Sequence, residues 1–209
     1  MAPGVLSPGL LCRRPWPFPV PAVQRRESPH EAQWLWRLLK SQGNTIMLKL
    51  TAQPLTPEAF APFGDVIDSR SASNSFPING GRTQRHHDLA SVEILGEGGR
   101  PMISIFASQR VQVPLQVDCL ERHPLGSQAF IPMHGERFLV VVAPPGDGID
   151  PDSVRAFVTD GRQGINYRAG TWHAVHSVLE CEGEFLVVDR GGPGHNCDEQ
   201  PVEALITLD

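Results

Sequence analysis

The residues best suited to chemistry lie in the second half of the chain, where seven of the eight histidines follow residue 85. Glu121 and His123 are two positions apart, so a β-strand would direct both side chains to one face. Gln128 follows in the same segment, and His173 belongs to a later one. Their carboxylate, imidazole and amide groups form a ligand set that suits manganese, nickel or zinc. The alternative is a polar substrate pocket that holds no metal.

The spacing of these residues resembles the two sequence motifs of cupin barrels. The first motif has the form H-x-H-x(3,4)-E-x(6)-G, and the positions that match it are Glu121, His123, Gln128 and Gly135. The second motif has the form P-x-G-x-x-H-x(3)-N. Gly170 and His173 match it, whereas Arg168 and Ser177 occupy its proline and asparagine positions. In such a barrel, a neighbouring strand would bring His173 beside Glu121 and His123.

The elements that must position these residues are predicted to be short strands from residue 47 onward. Apolar or alternating runs occur at Met102–Phe106, Val111–Leu120, Gln128–Met133, Arg137–Ala143, Val154–Thr159 and Glu184–Asp189. The residues from Thr56 to Phe63 are the helical exception, because Thr56 can cap a helix and Pro57 suits its first turn. Many short strands without alternating helices predict an all-β sandwich or barrel.

Composition argues against several classes of function. The 209 residues carry a formal net charge of −5, so the basic field of a nucleic-acid-binding protein is missing. The apolar runs are far shorter than a membrane-spanning helix requires. The four cysteines include no C-x-x-C pair, which argues against a thiol zinc site. We therefore expect neither nucleic acid nor membrane among the partners of the chain.

Residues 1–46 differ in composition from the rest. They contain seven of the 20 prolines, and six basic residues stand against two acidic ones. Alternating prolines between Pro15 and Pro21 disfavour both helix and central strand. We predict that residues 1–46 are a disordered extension or a segment outside the catalytic domain, and that residues 47–209 form that domain.

From Met47 onward the chain resembles the bacterial ureidoglycolate lyases. The segments that carry the resemblance are Phe60–Ile67, His87–Ala90, Glu121–Pro132, Phe138–Ala143, Gly164–Tyr167, Trp172–His173, Asp189–Gly192 and Asn196–Cys197. The chain departs from the family pattern after His173, where Ala174 and Val175 replace a second histidine and a proline. It departs again at Arg168, which replaces a histidine.

The resemblance implies a cupin-like jelly-roll β-barrel, also called a double-stranded β-helix, with a few short helices. It also implies a homodimer in the cytoplasm that cleaves (S)-ureidoglycolate to glyoxylate and urea, a step of allantoin and purine catabolism. A divalent metal such as nickel, manganese or zinc is associated with the family, and no organic cofactor is expected.

The catalytic candidates for this reaction are His173, His123 and Glu121. His173 would act as base or acid, since imidazole titrates nearest to neutral pH. Glu121 and His123 would share the proton transfers or hold a metal that polarises the hydroxyl, with Gln128 and His173 as the other ligands. On a regular strand, Arg122 should face away from Glu121 and His123.

The substrate-binding candidates are five further residues. Arg168 and Arg190 would hold the substrate carboxylate, because arginine binds carboxylates through two parallel hydrogen bonds. Tyr167 would donate a hydrogen bond to the ureido oxygen. His87 and Asp88 would also contact the substrate, with Asp88 orienting His87. For each charged residue the alternative is a solvated surface position.

Two other functions compete with the lyase. One is a different metal-dependent cupin enzyme, such as an isomerase or a dioxygenase, which would require a strong metal site. The other is a sensor without catalytic activity that binds glyoxylate or a related small acid, because a fold does not determine a function.

Overall fold

The computed structural model describes residues 47–209, and the prediction made for residues 1–46 lies outside that range. Residues 47–209 form fifteen strands and one short α-helix. In chain order the elements are β1 (Leu48–Thr51), β2 (Gln53–Pro54), α1 (Pro57–Phe60), β3 (Gly64–Ile67), β4 (Ser75–Ile78), β5 (Thr83–His86), β6 (Arg100–Gln109), β7 (Leu115–Arg122), β8 (Gln128–Pro132), β9 (Phe138–Ala143), β10 (Arg155–Val158), β11 (Gly164–Tyr167), β12 (Trp172–His173), β13 (Ser177–Val178), β14 (Glu182–Gly191) and β15 (Asp198–Thr207). Short 3₁₀ turns lie at Ser69–Ser71, Asn79–Gly81 and Pro151–Ser153.

Helix α1 begins as the sequence predicts but ends earlier. The side chain of Thr56 accepts a hydrogen bond from the backbone N–H of Ala59 at 3.2 Å, and Pro57 lies in the first turn. The helix ends at Phe60, whose ring is completely buried. Among the described residues, no helix is long and apolar enough to cross a membrane.

The strands form two sheets that enclose the main core. The first sheet has the order β1-β15-β7-β12-β9-β10-β2, with β13 also paired to β9. The second has the order β3-β11-β8-β14-β6, and β4 and β5 form a separate hairpin. Within the first sheet, β1 and β15 run parallel, as do β2 and β10, and the central pairs are antiparallel. This cupin-like jelly-roll architecture confirms the predicted fold class.

Strand β9 is buried on both faces, as its continuous apolar sequence indicates. Phe138, Val140 and Val142 belong to the core between the sheets. The residues that alternate with them belong to a second apolar cluster on the opposite face. Because β9 is packed from both sides, it gives a rigid support to the two-residue strand β12, which pairs with it.

Strand β7 differs in its bounds from the predicted run at Val111–Leu120. The strand begins at Leu115, directly after Pro114, whose missing N–H disfavours a regular ladder position. At its other end, β7 continues to Arg122 because β15 pairs with it there, with Asp198 opposite Arg122. Because of this extension, Glu121 lies within a paired strand, opposite Glu199 of β15 and His173 of β12.

His176 is an uncharged histidine enclosed by aromatic rings. Its ring stacks on Phe130 with centroids 4.7 Å apart and meets Phe185 edge-on at 4.1 Å. Burial lowers the pKa of His176 from the ordinary 6.5 to about 4. Between pH 6.5 and about pH 4, the unfolded chain therefore binds a proton that the folded chain excludes. The free energy of unfolding falls as the pH decreases through this range.

We expect His176→Phe to remove about 3 kcal/mol of the acid destabilisation between pH 6.5 and pH 4, the equivalent of the pKa shift. The measurement is urea unfolding of both proteins across that pH range. His134→Gln, at an exposed histidine, is the matched control and should retain the wild-type pH dependence. Equal acid sensitivity in His176→Phe and wild type would contradict the assignment.

Candidate functional site

Three neighbouring strands of the first sheet bring the predicted catalytic residues together. In β12, His173 pairs with Glu121 of β7 on one side and with Val142 of β9 on the other. Paired residues share a face of the sheet, and Val142 belongs to the core between the sheets. Glu121 and His173 therefore point into the interior, and His123 follows on the same face two residues after Glu121.

Backbone carbonyls fix the orientation of both histidines. Nδ1 of His123 lies 2.7 Å from the carbonyl oxygen of Asn196, and Nδ1 of His173 lies 3.0 Å from that of Thr171. A carbonyl only accepts hydrogen bonds, so each Nδ1 carries the proton and each Nε2 exposes a lone pair. Both Nε2 atoms are buried and have no hydrogen-bond partner among residues 47–209. One ring nitrogen of each histidine and a carboxylate oxygen of Glu121 lie within 4.8 Å of one another.

The surroundings hold Glu121 charged and keep the proton on Tyr167. When His173 is protonated at Nε2, which lies 3.6 Å from Oε1 of Glu121, it lowers the pKa of that carboxyl against the opposing effect of burial. The ring of Tyr167 stacks on His173 with centroids 4.3 Å apart. Burial, followed by the charge of Glu121, raises the pKa of Tyr167. Its hydroxyl is therefore a hydrogen-bond donor at neutral pH.

Cys197 and Glu199 lie beside Glu121 at the exposed side of this cluster. Sγ of Cys197 is 3.8 Å from Oε2 of Glu121, and Glu199 of β15 pairs with Glu121. The three residues form a second group whose ligand atoms lie close together. Burial, with smaller effects of the two glutamates, raises the pKa of Cys197 to about 11. The thiol is therefore protonated at neutral pH and is a poor nucleophile.

The second sheet contributes Gln128 and Tyr167 to the same interior. Gln128 of β8 pairs with Tyr167 of β11. Two residues further along these strands, Phe130 pairs with Ile165, and both side chains belong to the core between the sheets. Because side chains alternate along a strand, Gln128 and Tyr167 also point inward. Gln128 is 8% exposed, so its amide lies in the interior between the sheets.

The arginines occupy three different environments. Arg122 faces away from Glu121, as predicted, and its guanidinium lies 4.7 Å from the centroid of the Trp172 ring. Arg190 lies on the outer face of β14 and donates hydrogen bonds to the carbonyls of Leu95 at 2.7 Å and Pro193 at 2.9 Å. The structure therefore does not bring Arg190 to the catalytic candidates. Arg168 is exposed at the end of β11.

Because of these contacts, we expect Arg190→Met to lower the free energy of unfolding by roughly 2–4 kcal/mol. The substitution leaves the carbonyls of Leu95 and Pro193 without their donor. Arg110→Met, at an exposed arginine, should change stability little. Urea unfolding measures the effect. Unchanged stability with a strongly raised KM would instead assign Arg190 to the substrate carboxylate.

His87 and Asp88 are placed at a different location from the catalytic candidates. The hairpin of β4 and β5 leads into them, and Asp88 adopts a left-handed backbone conformation with φ of 58°. They line a cavity of about 200 Å³ with Gly64, Asp65 and residues 71–73. None of Glu121, His123 and His173 lines this cavity. The assignment of His87 and Asp88 to the substrate stays a prediction, and the cavity they line is described by different residues from the three catalytic candidates.

The arrangement of Glu121, His123 and His173 supports two kinds of chemistry. Two imidazole lone pairs and a carboxylate can bind a divalent ion through nitrogen and oxygen. Without an ion, the same Nε2 atoms can accept protons from a bound molecule. The carbonyls of Thr171 and Asn196 orient the rings, and no side-chain pattern in the sequence predicts them. The only sequence signal for Asn196 was its place in the family resemblance.

Comparison with known proteins identifies close relatives. The family model described as ureidoglycolate lyase matches residues 47–209. A ureidoglycolate lyase from Stutzerimonas stutzeri is 56% identical over 153 residues, which cover 73% of this chain and 89% of the relative. One from Pseudomonas aeruginosa is 55% identical over 153 residues, which cover 73% of this chain and 90% of the relative. One from Burkholderia cepacia is 50% identical over 161 residues, which cover 77% of this chain and 90% of the relative.

Proposed function

The chain belongs to the ureidoglycolate lyase family, and we propose that it cleaves (S)-ureidoglycolate to glyoxylate and urea at the site of Glu121, His123 and His173. The observation that supports this site best is the pair of buried, unpartnered Nε2 atoms beside a carboxylate. We further propose that the reaction takes place in the cytoplasm, within allantoin and purine catabolism.

The chemistry of the substrate defines what the site must do. Ureidoglycolate is a carbinolamine that bears a carboxylate. Cleavage removes the hydroxyl proton, forms the carbonyl of glyoxylate and breaks the bond between that carbon and the ureido nitrogen. The electron pair of the broken bond passes to the nitrogen, which takes up a proton and leaves as urea. A base, an acid and a partner for the carboxylate are therefore required.

His173 is suited to both proton transfers. Its Nδ1 is occupied by the carbonyl of Thr171, so Nε2 is the atom that accepts the hydroxyl proton. The carboxylate of Glu121, 3.6 Å from Nε2, stabilises the resulting imidazolium. The imidazolium then returns a proton to the departing nitrogen. Tyr167, stacked on His173, donates a hydrogen bond to the ureido oxygen.

The same donor set also fits a divalent cation. Each histidine donates its Nδ1–H to a backbone carbonyl and leaves Nε2 for a ligand, the usual arrangement in metal-bound histidines. Glu121, His123 and His173 would hold the ion, with Gln128 as a further ligand; nickel, manganese and zinc suit this set. A bound cation supplies positive charge that polarises the hydroxyl and the carboxylate. A cation and a proton compete for Nε2 of His173. This atom would therefore be a ligand when the metal is bound and a proton acceptor when it is not.

Arg168 is the proposed partner of the substrate carboxylate. It directly follows Tyr167, and its guanidinium makes no hydrogen bond or ion pair with another described residue. Arg122, by contrast, is bound to Asp198 at 2.8 Å, and Arg190 donates to backbone carbonyls. Of these three arginines, Arg168 is therefore the one whose guanidinium is free to bind a carboxylate.

Product analysis tests the proposed function. The purified 209-residue chain is incubated with (S)-ureidoglycolate, and glyoxylate, urea and ammonia are measured. A lyase leaves urea intact, so we expect equimolar glyoxylate and urea without ammonia. Release of ammonia in place of urea would indicate hydrolysis, and binding of glyoxylate without turnover would indicate a sensor. Either result would contradict the proposal.

We also propose a homodimer that forms through the outer face of the second sheet. Ile103 and Ile105 of β6 are 71% and 51% exposed, and β14 places Leu186 and Val188 beside them. An exposed apolar patch of this kind marks a contact surface. Within the described residues, β6 is also the last strand of its sheet. A second copy related by a two-fold axis would cover the same patch on both subunits.

Replacement of Ile103 and Ile105 by aspartate is expected to yield monomers, because the charges would have to be buried in the interface. Light scattering should give twice the chain mass for wild type and the chain mass for the double variant. Leu208→Asp, at another exposed apolar residue (37%), should remain dimeric. A dimeric double variant, or a monomeric wild type, would contradict the proposed interface.

A further inference from the structure

Asp189 lies on the inner face of β14, in the second of the two sheets that enclose the interior. Phe185 and Val187 precede it at alternate positions, are completely buried and belong to the core between the sheets. β14 pairs with β6 without a register shift from Glu182 to Gly191. Alternation therefore directs Asp189 inward and Arg190 outward, in agreement with the contacts of Arg190 to Leu95 and Pro193.

The strand register places Asp189 in one row with Gln128 and Tyr167. The ladder of β14 and β8 ends with Val188 opposite Ala129, so the next residues in register are Asp189 and Gln128. Gln128 is in turn paired with Tyr167, whose ring stacks on His173. The row thus crosses the second sheet and ends against the histidine that we assign to proton transfer.

One carboxylate oxygen of Asp189 is buried without a hydrogen-bond partner among the described residues. This oxygen, Oδ1, accepts no hydrogen bond from any of residues 47–209. A buried carboxylate oxygen without a donor costs free energy, and the neighbouring Arg190 cannot supply one because it faces the other side of the sheet. The orphaned oxygen points to a bound molecule that brings N–H or O–H donors into the interior.

We propose that Asp189 binds the ureido group of the substrate and thereby determines specificity for ureidoglycolate; this inference rests on the proposed function. The ureido group presents an N–H and an NH₂ side by side, and these two donors match the two oxygens of one carboxylate. The hydroxyl end of the substrate then faces Glu121, His123 and His173 on the opposite sheet. Gln128 and Tyr167 lie between the two ends.

The test compares a ligand that has the ureido group with one that lacks it. Asp189→Asn keeps the size of the side chain but turns one acceptor into a donor that faces the ureido N–H groups. We expect KM for (S)-ureidoglycolate to rise about 10- to 100-fold, while the inhibition constant of glyoxylate changes less than about threefold. The melting temperature should be unchanged or higher, because the variant removes a carboxylate whose buried Oδ1 has no partner.

Glu182→Gln, at an exposed carboxylate on the same strand, is the matched control and should keep the wild-type KM. An unchanged KM in Asp189→Asn, with active wild type, would overturn the assignment of Asp189 alone. Equal weakening of ureidoglycolate and glyoxylate would also overturn it, since it would indicate a general disturbance of the site. A wild-type chain that releases no glyoxylate would overturn the proposed function instead.

Discussion

His173→Ala is expected to lower kcat for (S)-ureidoglycolate by at least ~100-fold, the lower range of what a general acid or base contributes. The loss follows from the position of Nε2, which is buried, unpartnered and 3.6 Å from Glu121. Either as proton acceptor or as metal ligand, this atom has no replacement in the variant. The measurement is the steady-state rate of glyoxylate release.

The control for this variant is His134→Ala, because His134 is an exposed histidine whose side chain is 64% accessible. It should retain wild-type turnover. Near-UV circular dichroism of His173→Ala should match wild type, since Val142 and Glu121 still support β12 from both sides. Near-normal turnover by a correctly folded His173→Ala protein would remove His173 from the mechanism.

Metal removal is the second change with a large expected effect. If the donor set holds a cation as proposed, a chelated preparation should lose at least ~100-fold in kcat, equivalent to at least ~2.7 kcal/mol of transition-state stabilisation. One of nickel, manganese or zinc should restore turnover at one ion per chain. His123→Ala should bind that ion more weakly by at least ~10-fold, because a ligand and its contact to Asn196 are lost.

Lys49→Ala, at a residue of β1 on the edge of the first sheet, is the control for metal binding and should bind the ion as wild type does. Full turnover in a preparation shown to be free of metal would contradict the metal assignment. It would leave the proton transfers to His173 and Glu121 without the help of an ion. The lyase assignment itself would stand.

The part of the site that the sequence predicts depends on strand alternation. Glu121 and His123 share the inner face of the first sheet, and Arg122 lies between them in sequence but stacks on Trp172 on the other face. Alternation is a local property of any strand, so it can be inferred without knowledge of the sheet order. The same holds for the burial of β9, which follows from its continuous apolar sequence.

The other features of the site depend on strand pairings and long-range contacts, which no local sequence pattern specifies. The carbonyls of Thr171 and Asn196 orient the histidines, but every residue has a carbonyl, so side-chain identity carries no signal for this role. Asp189 and Arg190 follow the same apolar run, and only the register of β14 decides which of them faces the interior. His87 and Asp88 have side chains suited to a site, yet the hairpin before them leads to a separate cavity.

The most direct test of the central claim is a crystal structure of the chain with oxalurate, in which a carbonyl replaces the carbinol carbon of the substrate and prevents cleavage. We expect its oxygen atoms within about 3 Å or less of an ion that Nε2 of His123 and Nε2 of His173 both hold or, without an ion, of these Nε2 atoms in their protonated form. The ureido end should face the second sheet. Oxalurate bound in the cavity lined by His87 and Asp88, with an empty interior, would contradict the account.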